Sequence, residues 1–155
     1  MINSIEDSCF GGNPDLRRVD MVWGDSIPRY TFSDCPELEY IGDTNRVRDI
    51  GLLAFSGCTS MTHYHFPYCN RLDNMVFSRN TNLQVISFVG VDQVVEFYSS
   101  LDYLDSGELF SGYGDSGDPT EYSIIVPDDL YDEWIANEKW AKYADHIVKE
   151  SEFEG

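Results

Sequence analysis

Basic side chains are scarce in this sequence. Its 155 residues include 10 Lys and Arg against 28 Asp and Glu, which gives a formal net charge of −18 at pH 7. Because nucleic acids and anionic membrane surfaces repel such a chain, we expect neither as a partner. Apolar runs are also short, since none reaches the roughly 18 residues of a membrane-spanning helix. Residues 1–7 do not resemble a secretory signal either, so we expect no membrane insertion.

An apolar template recurs four times, with internal spacings of 5, 6 and 3 residues and offsets of 22, 23 and 22 residues between copies. Its members are Ile5, Phe10, Leu16 and Val19; Ile27, Phe32, Leu38 and Ile41; Ile50, Phe55, Met61 and Tyr64; and Leu72, Phe77, Leu83 and Ile86. A fixed period of this length is typical of repeat architectures, in which each copy buries an apolar face against the next.

The third residue after each repeated Phe is restricted to two types, Asn13, Cys35, Cys58 and Asn80. Either type suits a place where an inward side chain meets the backbone of a tight turn. Asn can hydrogen bond there, and Cys is a small buried residue with a weak donor. Because two of the four cysteines occupy this position, we expect free thiols rather than a disulfide framework.

Each copy ends in a Leu-x-x-Ile segment that predicts a short strand in one parallel sheet. The side chains expected to point outward are Arg18, Tyr40, His63 and Val85; then Asp20, Gly42, His65 and Ser87; then Val22, Thr44, Pro67 and Val89. Arg and Tyr are enriched at interaction hot spots. Our candidate binding residues are therefore Arg18, Asp20, Tyr40, His63, His65, Val85 and Ser87, with an ordinary solvated strand face as the alternative.

The order of Ile, Ala-Phe, Gly-Cys and Leu-x-x-Ile in each copy resembles the BspA-like leucine-rich repeats, most nearly in Ala54-Phe55-Ser56-Gly57-Cys58. Residues 124–130 and 140–147 resemble the closing segment of such proteins. The resemblance implies an α/β leucine-rich-repeat solenoid of about five coils, each of 22–23 residues, with a parallel sheet and a C-terminal helical cap. It also implies a binding or adhesion module of a bacterial surface, or a component of a phage particle.

The template breaks after Phe88. We expect a single domain over residues 1–155 with three parts. Residues 5–90 are four regular repeats, residues 91–126 an irregular fifth repeat with Phe110 as its Phe, and residues 127–155 a helical cap and tail. Two insertions interrupt the fifth repeat, and the second, residues 112–120, is rich in Gly and Asp. An Asp after Pro127 is expected to cap a helix with an apolar stripe of Tyr131, Trp134 and Ile135.

The start of the sequence also bears on function. No capping segment precedes Ile5, so the chain is either part of a longer protein or docks its first copy against a partner or a second copy of itself.

The charge is distributed unevenly along the chain. Residues 1–91 carry 11 acids and 7 bases, whereas residues 92–155 carry 17 acids and 3 bases. The two parts therefore differ in surface chemistry.

Catalytic and metal-binding patterns are incomplete. Gly24-Asp25-Ser26-Ile27 resembles the nucleophile block of the GDSL hydrolases, but His146 lacks the Asp three residues before it. His63 and His65 share a face without a third ligand. The acidic segment 102–121 lacks the ligand register of an EF-hand. We therefore expect no enzyme, metal or cofactor.

We expect this chain to be a binding or adhesion module whose concave strand face contacts a protein or a glycan. The alternative is a structural or assembly component that docks through its first repeat. The family resemblance places either role at a bacterial cell surface or in a phage particle.

Overall fold

The computed structural model describes residues 5–102, 104–111 and 117–155. The strands in these ranges are β1 (Ser26–Ile27), β2 (Asp49–Ile50), β3 (His63–His65), β4 (Arg71–Leu72), β5 (Val85–Ser87), β6 (Glu96–Phe97), β7 (Ser123–Val126) and β8 (Ile147–Lys149). The helices are α1 (Tyr131–Ala136) and 3-10 helices at Asp128–Leu130, Ala141–His146 and Glu150–Glu152. Among the described residues, no helix has the length and apolarity needed to cross a membrane.

The strands form two parallel four-stranded sheets, ordered β1-β2-β4-β6 and β3-β5-β7-β8. The sequence predicted only the second, from the Leu-x-x-Ile segments. The first is built from the opening apolar position of the template, where Ile27, Ile50, Leu72 and Phe97 pair in register. These four apolar residues are the sequence signal for this sheet, but a strand of two residues is too short to show alternation. Single bridges, Arg18 to Tyr40 and Val22 to Asp43, extend the pairing into the first copy.

A stack of phenylalanine rings runs through the repeated part. The centroids of Phe10, Phe32, Phe55 and Phe77 follow one another at 5.3, 5.6 and 6.1 Å, with interplanar angles of 12° or less. Each Phe N–H donates to the carbonyl of the residue before the next Phe, as Phe55 does to Val76 at 3.0 Å. Phe77 donates in the same way to Leu109, also at 3.0 Å. This bond aligns Phe110 with the repeated Phe positions across the first insertion.

The Asn and Cys side chains join each copy to the preceding one. Each donates to the backbone carbonyl of a Phe: Cys35 Sγ to Phe10 at 3.0 Å, Cys58 Sγ to Phe32 at 3.2 Å, and Asn80 Nδ2 to Phe55 at 2.6 Å. The cysteines are free, as predicted, and three of them are buried. Burial raises the pKa of the Cys58 thiol, which keeps it protonated as a donor.

Two backbone positions in every copy adopt the left-handed conformation, two residues before and two residues after the Phe. The first set is Ser8, Tyr30, Leu53 and Met75, with φ between 54° and 62°, and the second is Gly12, Asp34, Gly57 and Arg79. Six of these eight residues carry a side chain, and each non-glycine residue in this region costs about 1 kcal/mol. Conformation at these corners is therefore imposed by the repeat rather than by residue preference.

The C-terminal segment packs aromatic rings onto the last repeated strands. Trp134 and Trp140 are fully buried, with ring centroids 5.6 and 5.9 Å from that of Phe88. The expected Asp cap was wrong, because Asp128 Oδ1 accepts the Ser151 N–H at 3.0 Å and no side chain caps the helix start. The helix α1 has only six residues, and 3-10 turns and β8 follow it.

The fourth copy is hydrogen bonded to both insertions. Asn74 Nδ2 donates to the Asp105 carbonyl at 2.9 Å in the first insertion. Residues 112–116 of the second lie outside the described residues. At its far end, Asp118 accepts the backbone N–H of Arg79 at 2.8 Å and that of Ser111 at 3.1 Å.

Candidate binding surface

Arg18, Asp20 and Tyr40 form a packed polar cluster on the outer face of the first two copies. A parallel bridge between Arg18 and Tyr40 aligns the two segments. The Arg18 guanidinium carbon lies 4.0 Å from the Tyr40 ring centroid, and Arg18 Nε donates to both Asp20 carboxylate oxygens at 2.8 and 2.9 Å. These hydrogen bonds lower the pKa of Asp20 and raise that of Arg18, so both stay charged.

The next part of the face carries two imidazoles. His63 and His65 are both exposed on β3, on either side of the buried Tyr64. His65 pairs with Ser87 in the β3–β5 register, and a 3.0 Å hydrogen bond joins His65 Nδ1 and Ser87 Oγ. The Thr44 hydroxyl donates to the His65 carbonyl at 2.6 Å, which links the second copy to the third. The face is therefore connected across four copies.

Val85 does not belong to the exposed face. Its side chain is 7% exposed, so its prediction as a contact residue was wrong. It pairs with His63 on one side and Ser123 on the other, and neighbours on both sides of a short side chain leave it little access to solvent. Ser87 is only partly exposed, and Ile125, which pairs with Ser87, is buried. Accessible residues are thus concentrated on the side of the first copy.

Two large exposed apolar side chains lie in the same two copies as Arg18. Val22 is 46% exposed and Tyr40 is 40% exposed. We define the strand-face surface as the accessible outer residues Arg18, Asp20, Val22, Tyr40, His63, His65 and Ser87. A further large exposed side chain, that of Tyr68 at 51%, lines a separate groove with Arg48 and Asp92.

Ser26 lies among groove residues that include no histidine in the described part of the chain. It lies on β1 in the lining of a groove that also contains Asp49, Arg71 and Tyr98 but no histidine. The histidines make their contacts elsewhere, and His146 Nδ1 hydrogen bonds to the Tyr122 carbonyl at 2.9 Å. In the described ranges, no three His, Cys, Asp or Glu side chains are grouped so as to hold a metal ion. The described geometry therefore offers no catalytic triad around Ser26.

The groove follows the face of the β1-β2-β4-β6 sheet, which the Leu-x-x-Ile segments do not predict. Reading one residue past each paired position gives Pro28, Gly51, Asp73 and Tyr98, a column that the register would have revealed.

Comparison with known families finds a match over the repeated part of the chain. The family model described as BspA type leucine rich repeat region matches residues 3–99 in six copies, which is more than half of the chain. No curated protein and no solved structure matches the chain. The repeated Phe positions and strands β1 to β6 all lie within the matched range. The chain therefore belongs to the BspA-type leucine-rich repeat family.

Proposed function

We propose that this chain is a non-enzymatic protein-binding module that recognises its partner through the strand-face surface. Leucine-rich-repeat domains generally mediate protein interactions, and their repeat families are typically non-enzymatic. The proposal treats residues 1–155 as one domain, in which the copies stack as a solenoid and residues 127–155 cover its C-terminal end. Adhesion at a bacterial cell surface is the setting that we propose for this activity.

The Arg18–Tyr40 contact carries the proposal. Arg18 is held by a carboxylate on one side and by an aromatic ring 4.0 Å away on the other. A side chain that is already ordered loses less rotamer freedom on binding, where ordering costs about 0.5–1.5 kcal/mol per side chain. Arg and Tyr are also the residue types that most often dominate interface energies. The pair is therefore a suitable anchor for a partner.

The exposed apolar area favours a protein over a glycan as the partner. Val22 and Tyr40 are large exposed apolar side chains of the first two copies, and a protein can bury both against apolar side chains of its own. A sugar face would stack on Tyr40 but would leave Val22 without an apolar partner. The net charge of −18 further favours a basic protein, because opposite net charge accelerates encounter.

Protein and glycan arrays probed with the purified chain test the proposal. We expect protein spots to bind the native chain, and an Arg18→Ala/Tyr40→Ala double variant to lose most of that signal. Tyr68→Ala is the matched control, since it removes a tyrosine that is at least as exposed and lies outside the strand-face surface. Signal confined to glycan spots would contradict the proposed partner, and protein binding that survives the double variant would contradict the proposed surface.

The first copy favours assembly as a second candidate function. Ile5, Phe10 and Leu16 are only partly buried, whereas Phe32 and Leu38, which occupy the equivalent positions in the next copy, are fully buried. A partner or a second copy that covered this apolar edge would complete the packing, as in a phage particle or another complex. Light scattering after size exclusion tests this: a defined oligomer that Leu16→Glu dissociates supports assembly, and a monomer at all concentrations contradicts self-association.

A further inference from the structure

Asp73 is an unusual residue in the column Pro28, Gly51, Asp73 and Tyr98, which follows the β1-β2-β4-β6 pairing. It is the column's acidic member and is 1% exposed. Aspartate is almost never fully buried unless a charge or a set of hydrogen bonds compensates it. Its surroundings therefore indicate what the site is built to bind.

Only one oxygen of the Asp73 carboxylate is used within the described residues. Oδ1 accepts the Asn74 N–H at 2.7 Å and the Ser100 N–H at 3.3 Å. Within the described ranges, Oδ2 accepts no hydrogen bond and the carboxylate makes no ion pair. Asp73 thus fastens the first insertion with one oxygen and retains an acceptor on the other.

Asp73 lines a groove of about 300 Å³ on this sheet, together with Ser26, Gly51, Tyr98 and Ser100. Gly51 provides no side chain at the groove floor. A Cβ there would lie 2.4 Å from the backbone nitrogen of Arg29, so the close packing of adjacent copies requires glycine.

The other charges of the groove are already paired. Arg29 Nε donates to Asp7 at 2.6 Å, and Arg71 Nε donates to Asp49 at 2.6 Å. Each of these two ion pairs has no net charge, so the net charge of the groove lining is the negative charge of Asp73. Burial raises the pKa of Tyr98 to about 12, and the nearby Asp73 charge adds to that shift. Tyr98 therefore stays neutral and presents a ring, over which the Arg71 guanidinium lies at 4.6 Å from the centroid.

We propose that this groove binds a lysine or arginine side chain of a protein partner. The ammonium or guanidinium N–H groups would donate to Asp73 Oδ2 and to the hydroxyl oxygens of Ser26 and Ser100, which are groove acceptors. Arg71 already shows a cation held here by a carboxylate and the Tyr98 ring. That the basic group belongs to a protein rests on the proposed protein-binding function. The groove itself lies on a different sheet from β3 and β5, which carry part of the strand-face surface.

Solution NMR of the native chain with small probes tests the groove without any partner. The probes are Nα-acetyl-lysine methylamide and Nα-acetyl-arginine methylamide, with the uncharged Nα-acetyl-norleucine methylamide as their control. We expect the two basic probes to shift the amide signals of Gly51, Asn74 and Ser100 and the side-chain carboxyl carbon of Asp73, in a saturable manner. Norleucine should leave these signals in place.

Asp73→Asn is the decisive variant because its amide oxygen can still accept the two backbone N–H bonds while the charge is lost. We expect binding at least fivefold weaker in this variant. Asp129→Asn is the matched control, since it changes net charge equally at an exposed residue outside the groove, and we expect it to change affinity less than twofold.

Equal binding by Asp73→Asn, equal shifts with norleucine, or an unmoved Asp73 carboxyl signal at saturation would overturn the proposal. The last readout uses only the native chain, so it holds even where the variant fails to fold. Probe binding in the groove does not depend on Arg18 or Tyr40. Failure here is therefore distinguishable from failure of the strand-face surface.

Discussion

The repeated copies and the C-terminal segment satisfy their backbone groups in different ways. Within the copies, one arrangement recurs, in which a Phe N–H bonds to the next copy and an Asn or Cys side chain bonds to the previous one. In the C-terminal segment, individual side chains do the same work: the Tyr143 hydroxyl accepts the Leu109 N–H at 2.8 Å, and Trp140 Nε1 donates to the Val95 carbonyl at 2.6 Å. In the repeated copies, the effect of a substitution on stability should therefore depend on the place of its copy in the stack. In the C-terminal segment, it should depend on the individual contact that is lost.

Charge separates the two regions as well. The acidic excess is 4 over residues 1–91 and 14 over residues 92–155. Both proposed sites draw their ion-paired arginines, Arg18 and Arg71, from the less acidic region. Tyr40 lies in that region too, whereas Tyr98 lies in the acid-rich one. In the proposed function, the acid-rich region would supply long-range attraction for a basic partner and the repeats would supply the ordered contacts.

The largest expected effect distinguishes the middle of the Phe stack from its end. Phe55→Ala should destabilise the chain by about 3–5 kcal/mol, because it empties a fully buried position between two stacked rings. Phe10→Ala should cost about 1–2 kcal/mol, since that ring is partly exposed and stacks on one side only. Urea denaturation measures both. Equal losses at the two positions would contradict the dependence on copy position.

A smaller effect should separate two tryptophans of the C-terminal segment. Trp140→Phe should cost about 2 kcal/mol, because it leaves the buried Val95 carbonyl without its donor. Trp134→Phe should cost only about 1 kcal/mol, for the cavity that the smaller ring leaves, since the indole N–H of Trp134 has no acceptor among the described residues. Thermal unfolding of the pair provides the comparison. If Trp134→Phe is the more damaging change, contact with the last strands depends on ring size rather than on hydrogen bonding.

The smallest effect concerns the left-handed corners of the first copy. Ser8→Gly should stabilise by about 0.5–1 kcal/mol, because an exposed residue at φ 62° loses its Cβ strain. Gly12→Ala should destabilise by about 1 kcal/mol through strain alone, as a Cβ there would meet nothing within 4 Å. Denaturation midpoints of the two variants should move in opposite directions. Movement in the same direction would show that these corners relax.

Much of the repeated region could be predicted from the sequence because four copies share the same spacing of apolar residues. The register of Ile27 with Ile50 and of Tyr64 with Ile86 follows directly from the template spacing. The left-handed corners could not be predicted, since Tyr30 and Leu53 have no preference for positive φ and adopt it only because the neighbouring copies impose it.

The candidate sites were predictable only in part. Outward positions on the predicted strands were correct for Arg18 and Tyr40, because alternation alone decides the face. Burial of Val85 depends on which residues flank it, and Ser123 lies beyond both insertions in the chain. The role of Asp73 was missed for the same reason, since its partner Ser100 belongs to the irregular repeat.

The most direct test of the account is a pair of dissociation constants for a protein partner found on the arrays, measured with Tyr40→Ala and Tyr68→Ala. Both variants remove an exposed tyrosine, at 40% and 51% exposure. We predict at least about tenfold weaker binding for Tyr40→Ala, as expected of a hot-spot residue, and no more than a twofold change for Tyr68→Ala. Unchanged affinity in Tyr40→Ala, or a larger loss in Tyr68→Ala, would contradict recognition through the strand-face surface.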